Sequence, residues 1–256
     1  MLRAHNRETV CIDELGAQER ATLSQELFRL NQRIFAGVEL KEFERLVINP
    51  SARWTRIHIM RNGDGEAVGY CAVHLFDIVL SDRAYAVFRA QAGILRPYRG
   101  EGSTFAFGFR EAIRYKLLHP LERVYFFSTP IHPSSFHLLS RHFREIYPTY
   151  RTQTPPAIQA LMGQLAAAFG ERPVEATDPE ILQVGWITHD SAEETAFWQT
   201  QSNPDIQFFL NVNPGYRQGH GLRTLVPLTL GNLCVTALAL VKRKLVALLD
   251  VGNRRG

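Results

Sequence analysis

Two glycines, two arginines and two hydroxyl side chains lie together in residues 96–104 of this 256-residue chain. A strand is predicted to lead into this stretch over residues 84–95, and a helix to follow it from Ser103 to about residue 119. Gly100 and Gly102 can adopt positive φ at little cost, and so can turn backbone N–H groups inward. The helix N-terminus adds further unpaired N–H groups and the positive end of the helix dipole. The sequence therefore predicts a phosphate-binding turn.

Neither common glycine-rich phosphate motif is present. The Gly-x-x-x-x-Gly-Lys-Ser/Thr spacing of the P-loop is absent, and Gly100-x-Gly102 lacks the third glycine of the dinucleotide-binding fingerprint. Residues 99–104 instead resemble the Arg/Gln-x-x-Gly-x-Gly/Ala signature of the GNAT superfamily of acyl-CoA-dependent N-acyltransferases. Family members typically read Tyr-Arg-Gly-x-Gly, as residues 98–102 do here. Thr104 departs from the pattern at its Gly/Ala position, and an ordinary strand-to-helix turn is the alternative.

The resemblance implies a cofactor and a fold. It implies acetyl-CoA or a longer acyl-CoA as co-substrate, with its pyrophosphate on the loop, and no metal. Backbone N–H groups near a bulge in the preceding strand would polarise the thioester. The implied fold is α/β (α+β): a mixed, mostly antiparallel GNAT-like sheet with flanking helices and a C-terminal helical extension. The implied cofactor-binding residues are Gly93, Ile94 and Leu95 on the strand, with Arg99, Gly100, Glu101, Gly102, Ser103 and Thr104 in the loop.

A second implied cofactor contact follows the strand predicted over residues 123–128. In the family this strand is splayed from its neighbour, and the acyl-pantetheine lies in the gap. The next helix usually opens Asn-x-x-Ala/Ser and carries a Tyr that protonates the leaving thiolate. Here His132 and Ser135 take the first two positions, while Leu139 stands where the Tyr is expected. We predict His137 as the replacement acid, with a nearby Tyr or water as alternatives.

The general base is harder to identify. Many family members place a carboxylate on the strand that enters the loop, but this chain has Tyr85, Arg89 and Gln91 there. His74 on the preceding strand is the candidate, because a turn centred on residues 81–82 places it opposite Arg89. An adjacent arginine would lower the pKa of His74 and favour the neutral, basic ring. The alternative is a core or surface histidine with no catalytic role.

Composition limits the classes of protein. A hydrophobic fraction of 45% supports a globular core, and the net charge of +4 is spread along the chain, so it does not form a nucleic-acid footprint. Cys11, Cys71 and Cys234 are far apart and lack CxxC partners, which indicates reduced thiols in a cytoplasmic protein and no zinc site. The charged start of the sequence has no apolar run, so no signal peptide is predicted.

The order of predicted elements fits the resemblance. A strand over residues 9–15 is followed by helices over 18–35 and 40–48, which in the family wall the acceptor site. Strands over 53–61, 66–80 and 84–95 form an antiparallel meander, with a hairpin turn at 62–65. Helices are expected over 103–119, from 134 to about 143 and from 156 to about 169, and another over 190–201. Strands over 181–187 and 206–212 are candidates for the last pair of the sheet. We expect an acyltransferase core over residues 1–150 and an extension over 151–256.

Residues 224–241 carry no charged side chain and are followed by three basic residues. This length is sufficient for a membrane span, but Pro227, Gly231 and a polar stripe of Thr229, Asn232 and Thr236 oppose one. A buried or partner-docked helix is favoured. Peripheral membrane contact through residues 224–249 is the alternative, which would make the substrate lipid-like and the protein membrane-associated.

Three hypotheses of function follow. The first is an acyl-CoA-dependent N-acyltransferase acting on a small or lipid-linked primary amine. The second is a transferase of the same fold that takes its acyl group from an acyl carrier protein and makes an acylated amino acid or signal. The third is a non-catalytic module that binds acyl-CoA or a membrane, suggested by the missing Tyr and the missing strand carboxylate.

Overall fold

A six-stranded sheet lies at the centre of the computed structural model, which describes residues 2–100 and 102–253, with side chains described as far as residue 242. The strands are β1 (Asn6–Cys11), β2 (Phe35–Ala36), β3 (Trp54–Arg61), β4 (Ala67–Leu80), β5 (Arg83–Ile94), β6 (Val124–Ser128), β7 (Pro173–Glu175), β8 (Asp178–Gln183), β9 (Ile187–Thr188), β10 (His220–Leu222) and β11 (Thr224–Pro227). The order across the large sheet is β1–β3–β4–β5–β6–β11. Strands β10–β8–β7 and β2–β9 form two small sheets.

Eight helices in the described part of the chain surround these sheets. They are α1 (Ala17–Gln32), α2 (Leu40–Phe43), α3 (Ser103–Leu118), α4 (Pro133–Ser140), α5 (Pro156–Ala168), α6 (Ala192–Gln199), α7 (Pro204–Val212) and α8 (Leu230–Asn253). A π-helical turn, Glu44–Ile48, continues α2 as the predicted second helix requires. Helix α6 begins with a capping box, in which Ser191 Oγ accepts from the Glu194 N–H and the Glu194 carboxylate accepts from the Ser191 N–H.

Every pairing in the large sheet is antiparallel except that of β5 with β6. The turn between β4 and β5 has positive φ at Ser81 (47°) and Asp82 (63°), the geometry that a two-residue hairpin with right-handed strand twist requires. This turn places His74 opposite Arg89, as predicted. The predicted fold class, a mixed and mostly antiparallel sheet with flanking helices, is confirmed.

The parallel pair β5 and β6 separates after a short contact. Residues 86–88 of β5 pair with residues 124–126 of β6, whereas β5 continues to Ile94 and β6 to Ser128. Beyond Phe88 and Phe126 the two strands therefore diverge, and the sheet is open between them.

The two faces of the sheet have separate apolar cores. Tyr70 and Ala72 of β4 belong to the core beneath α1 and α2, which we call the α1 face. Cys71 and Val73 point the other way and pack beneath α3, on the α3 face. This alternation is the period-2 pattern of a strand covered on both sides, in which nearly every residue is apolar. The opening between β5 and β6 connects the two faces.

The sequence spacing of α3 predicts a buried stripe of Ala106, Phe109, Ile113 and Leu117, and this prediction is wrong at most positions. Of its residues only Phe109 is buried, while Leu117 is 65% exposed. The buried positions are Phe107, Phe109, Glu111, Ala112, Tyr115 and Lys116. The error has a physical cause: phenylalanines at 105, 107 and 109 make the start of the helix apolar all round, so its sequence period does not define one face.

Three other predictions at the ends of the chain are corrected. The first strand begins earlier, at Asn6, and a 3₁₀ turn, Ile12–Glu14, replaces its predicted second half. The strand predicted over 206–212 is helix α7, whose buried Ile206 and Phe209 are three residues apart, as on one face of a helix. The strand predicted over 181–187 corresponds in part to β8, which lies in a small separate sheet rather than in the large one. The sixth strand of the large sheet is instead β11, from the apolar segment that we predicted to be helical.

Helix α8 docks through its polar stripe. Asn232 Nδ2 donates to the carbonyls of Glu145 and Pro227, and Asn232 Oδ1 accepts from the Glu145 N–H. Thr236 is fully buried and donates to the His142 carbonyl, whereas Val235 and Leu238 are exposed. The predicted docking of this helix is confirmed for its first turns. Over the described residues, none of the helices combines the length and the apolar character that a membrane span needs.

Candidate active site

The loop between β5 and α3 has the backbone geometry that its glycines predict. Gly100 has φ of 100°, and Gly102 has φ of 66° and is the N-cap of α3. A Cβ added at Gly102 would meet no atom within 4 Å, so the requirement for glycine here comes from backbone conformation rather than from space. Glu101, the remaining predicted loop residue, lies outside the described residues.

The N–H groups at the start of α3 have no acceptor among the described residues. Among the hydrogen bonds of the described residues, none uses the N–H of Gly100, Gly102, Ser103 or Thr104. The first N–H groups of a helix have no intrahelical acceptor, and the part of the chain that the structure describes supplies no other. Arg99 is held beside them, with Nε donating to the Ile94 carbonyl at 3.1 Å. The loop therefore offers several donors and a positive dipole end to an anion.

The edge of β5 that faces the opening is also unpaired. Odd-numbered residues of β5 bond to β4, as the Leu95 N–H does to the Val68 carbonyl at 2.9 Å. Even-numbered residues face β6, as the Ala86 N–H does toward the Arg123 carbonyl. By this alternation Ala90 and Ala92 present N–H and C=O groups to the opening, where β6 has departed. Ile94 presents its N–H there, while its carbonyl accepts from Arg99.

This alternation corrects part of the predicted thioester contact. Of Gly93, Ile94 and Leu95, only Ile94 directs its N–H into the opening, because the other two are used by β4. The expected bulge is not there either, since the pairing of β5 with β4 runs without a register shift from Arg83 to Ile94. Gly93 has a packing role: a Cβ there would come within 3.1 Å of Ile34, Phe35 and Tyr70 side-chain atoms.

A cavity of about 470 Å³ passes through the opening. Its walls on the α3 face are mostly apolar. They come from β4, β5, β6, α3, α4 and Phe143, which follows α4. Its walls on the α1 face include charged and polar groups from the α2 region and from residues 169–188. Predicted site residues that line it are Thr104, His132 and Ser135; Leu139, at the expected Tyr position, lines it too. A volume of this size is typical of small-molecule sites.

A charged pair lies on the α1 face of the cavity. The Arg89 guanidinium pairs with the Glu171 carboxylate, and the Thr129 hydroxyl donates to the same carboxylate at 3.2 Å. The guanidinium also stacks 4.4 Å from the centre of the Phe169 ring. Both charged side chains are less than one-fifth exposed. Breaking so buried a pair leaves an uncompensated charge, so the pair fixes the position of a carboxylate in the cavity wall.

His74 lies behind this wall and does not line the cavity. Its Nε2 is 2.7 Å from Gln91 Oε1 and its Nδ1 is 2.9 Å from Thr55 Oγ1. Because a carboxamide oxygen only accepts, Nε2 carries the hydrogen and Nδ1 accepts from the Thr55 hydroxyl. The pKa of His74 is lowered to about 4, chiefly by burial and also by the charge of Arg89, while the hydrogen bond to Gln91 opposes the shift. The ring is thus neutral and orients Gln91, which does line the cavity; catalysis by His74 stays a prediction.

His132 caps α4 at the edge of the cavity. Its Nδ1 accepts from the Ser134 N–H at 3.2 Å, so Nε2 carries the hydrogen and donates to Asp190 Oδ2 at 2.9 Å. Both side chains are at least nine-tenths buried. The predicted contact of His132 with the cofactor stays a prediction, now with its ring held by Asp190. Ser135 is exposed beside it and also lines the cavity.

His137, the predicted acid, points elsewhere. It does not line the cavity, and its Nδ1 lies 2.6 Å from Asp205 Oδ2 on α7. The position of the expected Tyr is occupied by Leu139, and no tyrosine lines the described part of the cavity. The role of His137 as acid stays a prediction. The hydroxyl groups of the cavity wall are better placed than His137 to donate a proton to a thiolate in the cavity.

Four buried polar atoms in the cavity wall have no partner among the described residues: Arg89 Nε, Ser128 Oγ, Trp186 Nε1 and Thr188 Oγ1. Two of them belong to residues that are less than one-tenth exposed. Ser128, at the end of β6, is 9% exposed and its Oγ makes no hydrogen bond; Trp186, 6% exposed, has an unpartnered Nε1. Both residues line the cavity. Buried polar groups are nearly always hydrogen-bonded, so each of these is a candidate contact for a bound molecule.

Sequence reasoning missed several of these groups. Glu171, Trp186 and Asp190 follow α5, beyond the part of the chain that carries the resemblance, and only the fold brings them to the opening. The sequence signal for this side of the site was the pair of polar residues Arg89 and Gln91, which interrupt the mainly apolar second half of the predicted β5. Within the described residues, there is no group of three His, Cys, Asp or Glu side chains placed to hold a metal ion.

No protein-family profile matches the sequence, and no curated protein sequence matches it either. Similar solved structures include a protein from Enterococcus faecalis described as a probable N-acyltransferase, with 14% identity and a TM-score of 0.34 over 52% of this chain; the match spans only 31% of that protein. NAA60 of Arabidopsis thaliana in complex with acetyl-CoA has 15% identity and a TM-score of 0.37, over 57% of this chain and 92% of that one. A GNAT-family acetyltransferase from Streptococcus pneumoniae has 13% identity and a TM-score of 0.33, over 58% and 92%.

At these identities and TM-scores the likeness says nothing about substrates, so function has to be inferred from this chain's own residues.

Proposed function

We propose that this chain transfers an acyl group from acyl-CoA to a primary amine of a small or lipid-linked acceptor. The observation that carries the proposal is the position of the N–H groups at the start of α3, which have no acceptor within the described residues and lie at one end of the opening between β5 and β6. A diphosphate on those groups and a pantetheine arm along the β5 edge would bring a thioester into the cavity. Amide groups of pantetheine can pair with the edge N–H and C=O groups of Ala90 and Ala92 and with the Ile94 N–H, in the manner of an added strand.

The chemistry is a direct transfer. The neutral amine nitrogen attacks the thioester carbonyl, the C–N bond forms and the C–S bond breaks. The proton that the nitrogen loses balances the one that the departing thiolate gains, so the products are the amide and the free thiol. Burial raises the pKa of Cys71, which lines the cavity, to about 12, so its thiol stays protonated and does not form an acyl-enzyme. The edge N–H groups of β5 would stabilise the developing oxyanion. The Ser128 hydroxyl is the donor that we assign to the departing sulfur.

The acceptor would approach from the α1 face. Glu171 supplies a carboxylate there, fixed by Arg89 and Thr129, that can bind an ammonium group and position the amine. Holding two reactants in the correct geometry can contribute on the order of 7–11 kcal/mol to a reaction of this kind. The site therefore depends on position more than on one strong acid or base.

The test compares two glycines with the same backbone requirement. Gly102→Ala strains the loop at φ of 66°, and Gly65→Ala strains the hairpin turn at φ of 83°; an added Cβ meets no atom within 4 Å at either position. Both changes should cost about 1 kcal/mol of stability. Only Gly102→Ala should weaken binding of CoA and acetyl-CoA, by about tenfold, or about 1.4 kcal/mol. Calorimetric titration measures this, and equal affinities in both variants would contradict the proposed anion site.

The alternatives are separated in the same preparation. Release of free thiol from acyl-CoA with any of a panel of amines would exclude the hypothesis that the protein is a non-catalytic module. A strong preference for an acyl carrier protein thioester over acyl-CoA would favour the carrier-dependent enzyme. Sedimentation with anionic vesicles tests membrane contact through residues 224–249, of which the side chains from 243 onward lie outside the described residues. We also propose a cytoplasmic location, which the three free cysteines support.

A further inference from the structure

Part of the cavity extends away from the phosphate loop, beneath α3. Thr104, Gly108 and Ala112 follow one another at four-residue spacing, so they lie on one side of α3, and all three line the cavity. Gly108 leaves a space in the wall: a Cβ there would meet only Val73, at 3.9 Å. Three small residues in succession leave space unfilled between this side of the helix and the sheet.

The remaining walls of this part are apolar. Val73 and Phe88 of the sheet lie opposite α3, and Phe126, Phe143 and Leu228 are among the residues that close the sides. These side chains belong to the core of the α3 face, yet they leave a cavity between them. Protein interiors are normally packed without such voids, so an apolar ligand is the natural occupant.

The polar end of this part is marked by Ser128. Its Oγ is buried and unpartnered, and the residue lies where β6 leaves β5. A thioester carbonyl or sulfur beside Ser128 would give the hydroxyl a partner. The attached chain would then lie beneath α3.

The length of this part sets a chain length. From residue 104 to residue 112, α3 rises about 12 Å, at 1.5 Å per residue. An extended alkyl chain advances about 1.25 Å per bond, given C–C bonds of about 1.5 Å and angles of about 111°. About nine or ten bonds therefore fit alongside Thr104, Gly108 and Ala112.

We propose that the space beneath α3 binds the acyl chain of a medium-length acyl thioester, of about eight to ten carbons. This inference rests on the proposed acyl transfer and specifies its donor. Each methylene moved from water into the apolar space should tighten binding about fourfold. Decanoyl-CoA should therefore bind at least 100-fold more tightly than acetyl-CoA.

The experiment measures dissociation constants for acetyl-CoA, hexanoyl-CoA and decanoyl-CoA by calorimetry, on the wild-type chain and three variants. Gly108→Leu and Ala112→Leu place a branched side chain in the space. Ala106→Leu makes the same change on the exposed side of α3, outside the cavity lining. The ratio of acetyl to decanoyl dissociation constants should fall at least tenfold in the first two variants and stay at the wild-type value in the third. Urea unfolding of each variant establishes that it folds.

Decanoyl-pantetheine, which has no phosphate, separates this inference from the donor assignment. Binding of decanoyl-pantetheine that Gly108→Leu or Ala112→Leu abolishes would support the chain pocket even if no CoA compound bound, while refuting CoA as donor. Equal affinity of the wild type for acetyl-CoA and decanoyl-CoA would overturn the pocket and leave acyl transfer intact. A decanoyl preference unchanged in folded Gly108→Leu and Ala112→Leu would also overturn it.

Discussion

Acid should destabilise this protein through one buried ring, that of His74. The ring is 1% exposed, is hydrogen-bonded at both nitrogens by Thr55 and Gln91, and lies opposite Arg89 in the sheet. Its pKa is about 4 when folded, against 6.5 for an unperturbed histidine. Because the folded state binds fewer protons than the unfolded state below pH 6.5, stability falls as the pH drops and the loss saturates below about pH 4.

The two pKa values set the size of the effect. Proton linkage gives a loss of about 1 kcal/mol between pH 7 and pH 5.5, and about 2 kcal/mol between pH 7 and pH 4.5. His74→Gln keeps an amide donor toward Gln91 and removes the titrating group. The variant is less stable at pH 7, but its stability should fall less on acidification, by those same amounts.

Urea unfolding at pH 7, 5.5 and 4.5 gives the free energy of unfolding of each chain. The informative quantity is the difference between wild type and variant at each pH, since contributions of the carboxylates cancel in it. His5→Gln, at an exposed histidine, is the control and should follow the wild type. Parallel pH dependence of the wild type and His74→Gln would refute the reasoning.

Two further predictions concern the site and the fold. Glu171→Gln should raise the Michaelis constant for the amine at least tenfold and leave acyl-CoA affinity unchanged, because the carboxylate faces the acceptor side. Exposed Glu175→Gln is the control, and initial-rate kinetics measure both variants. Equal Michaelis constants for the amine in the two variants would contradict the assignment. Asn232→Ala should lower the free energy of unfolding by about 2 kcal/mol, since it leaves buried groups of Glu145 and Pro227 unpaired. Exposed Val235→Ala should change it little, and a similar loss in both would argue against docking through the polar stripe.

The central meander was predictable because its register has local causes. The residues at 81–82 define a two-residue turn, and from that turn every pairing of β4 with β5 follows, including His74 with Arg89. The phosphate turn was predictable for a similar reason, since positive φ at Gly100 and Gly102 is a local property.

The distant parts of the site have no local signal. Glu171 reaches Arg89 only after α5 has crossed the α1 face, and nothing near residue 171 in sequence indicates that contact. A short apolar run such as residues 206–212 reads equally well as strand or helix. In residues 224–241 a four-residue strand and a helix share one uncharged segment, so composition hides the boundary at Thr229.

The pairing of β11 with β6 has a consequence for biosynthesis. Until Thr224 and the three residues after it have been made, the apolar strand Val124–Ser128 has its β11-facing side unpaired and available to other chains. A ribosome must therefore release most of this polypeptide before the sheet can close. Nascent or truncated chains ending before residue 224 should be the aggregating species, and co-expressed peptide carrying residues 220–253 should restore their solubility.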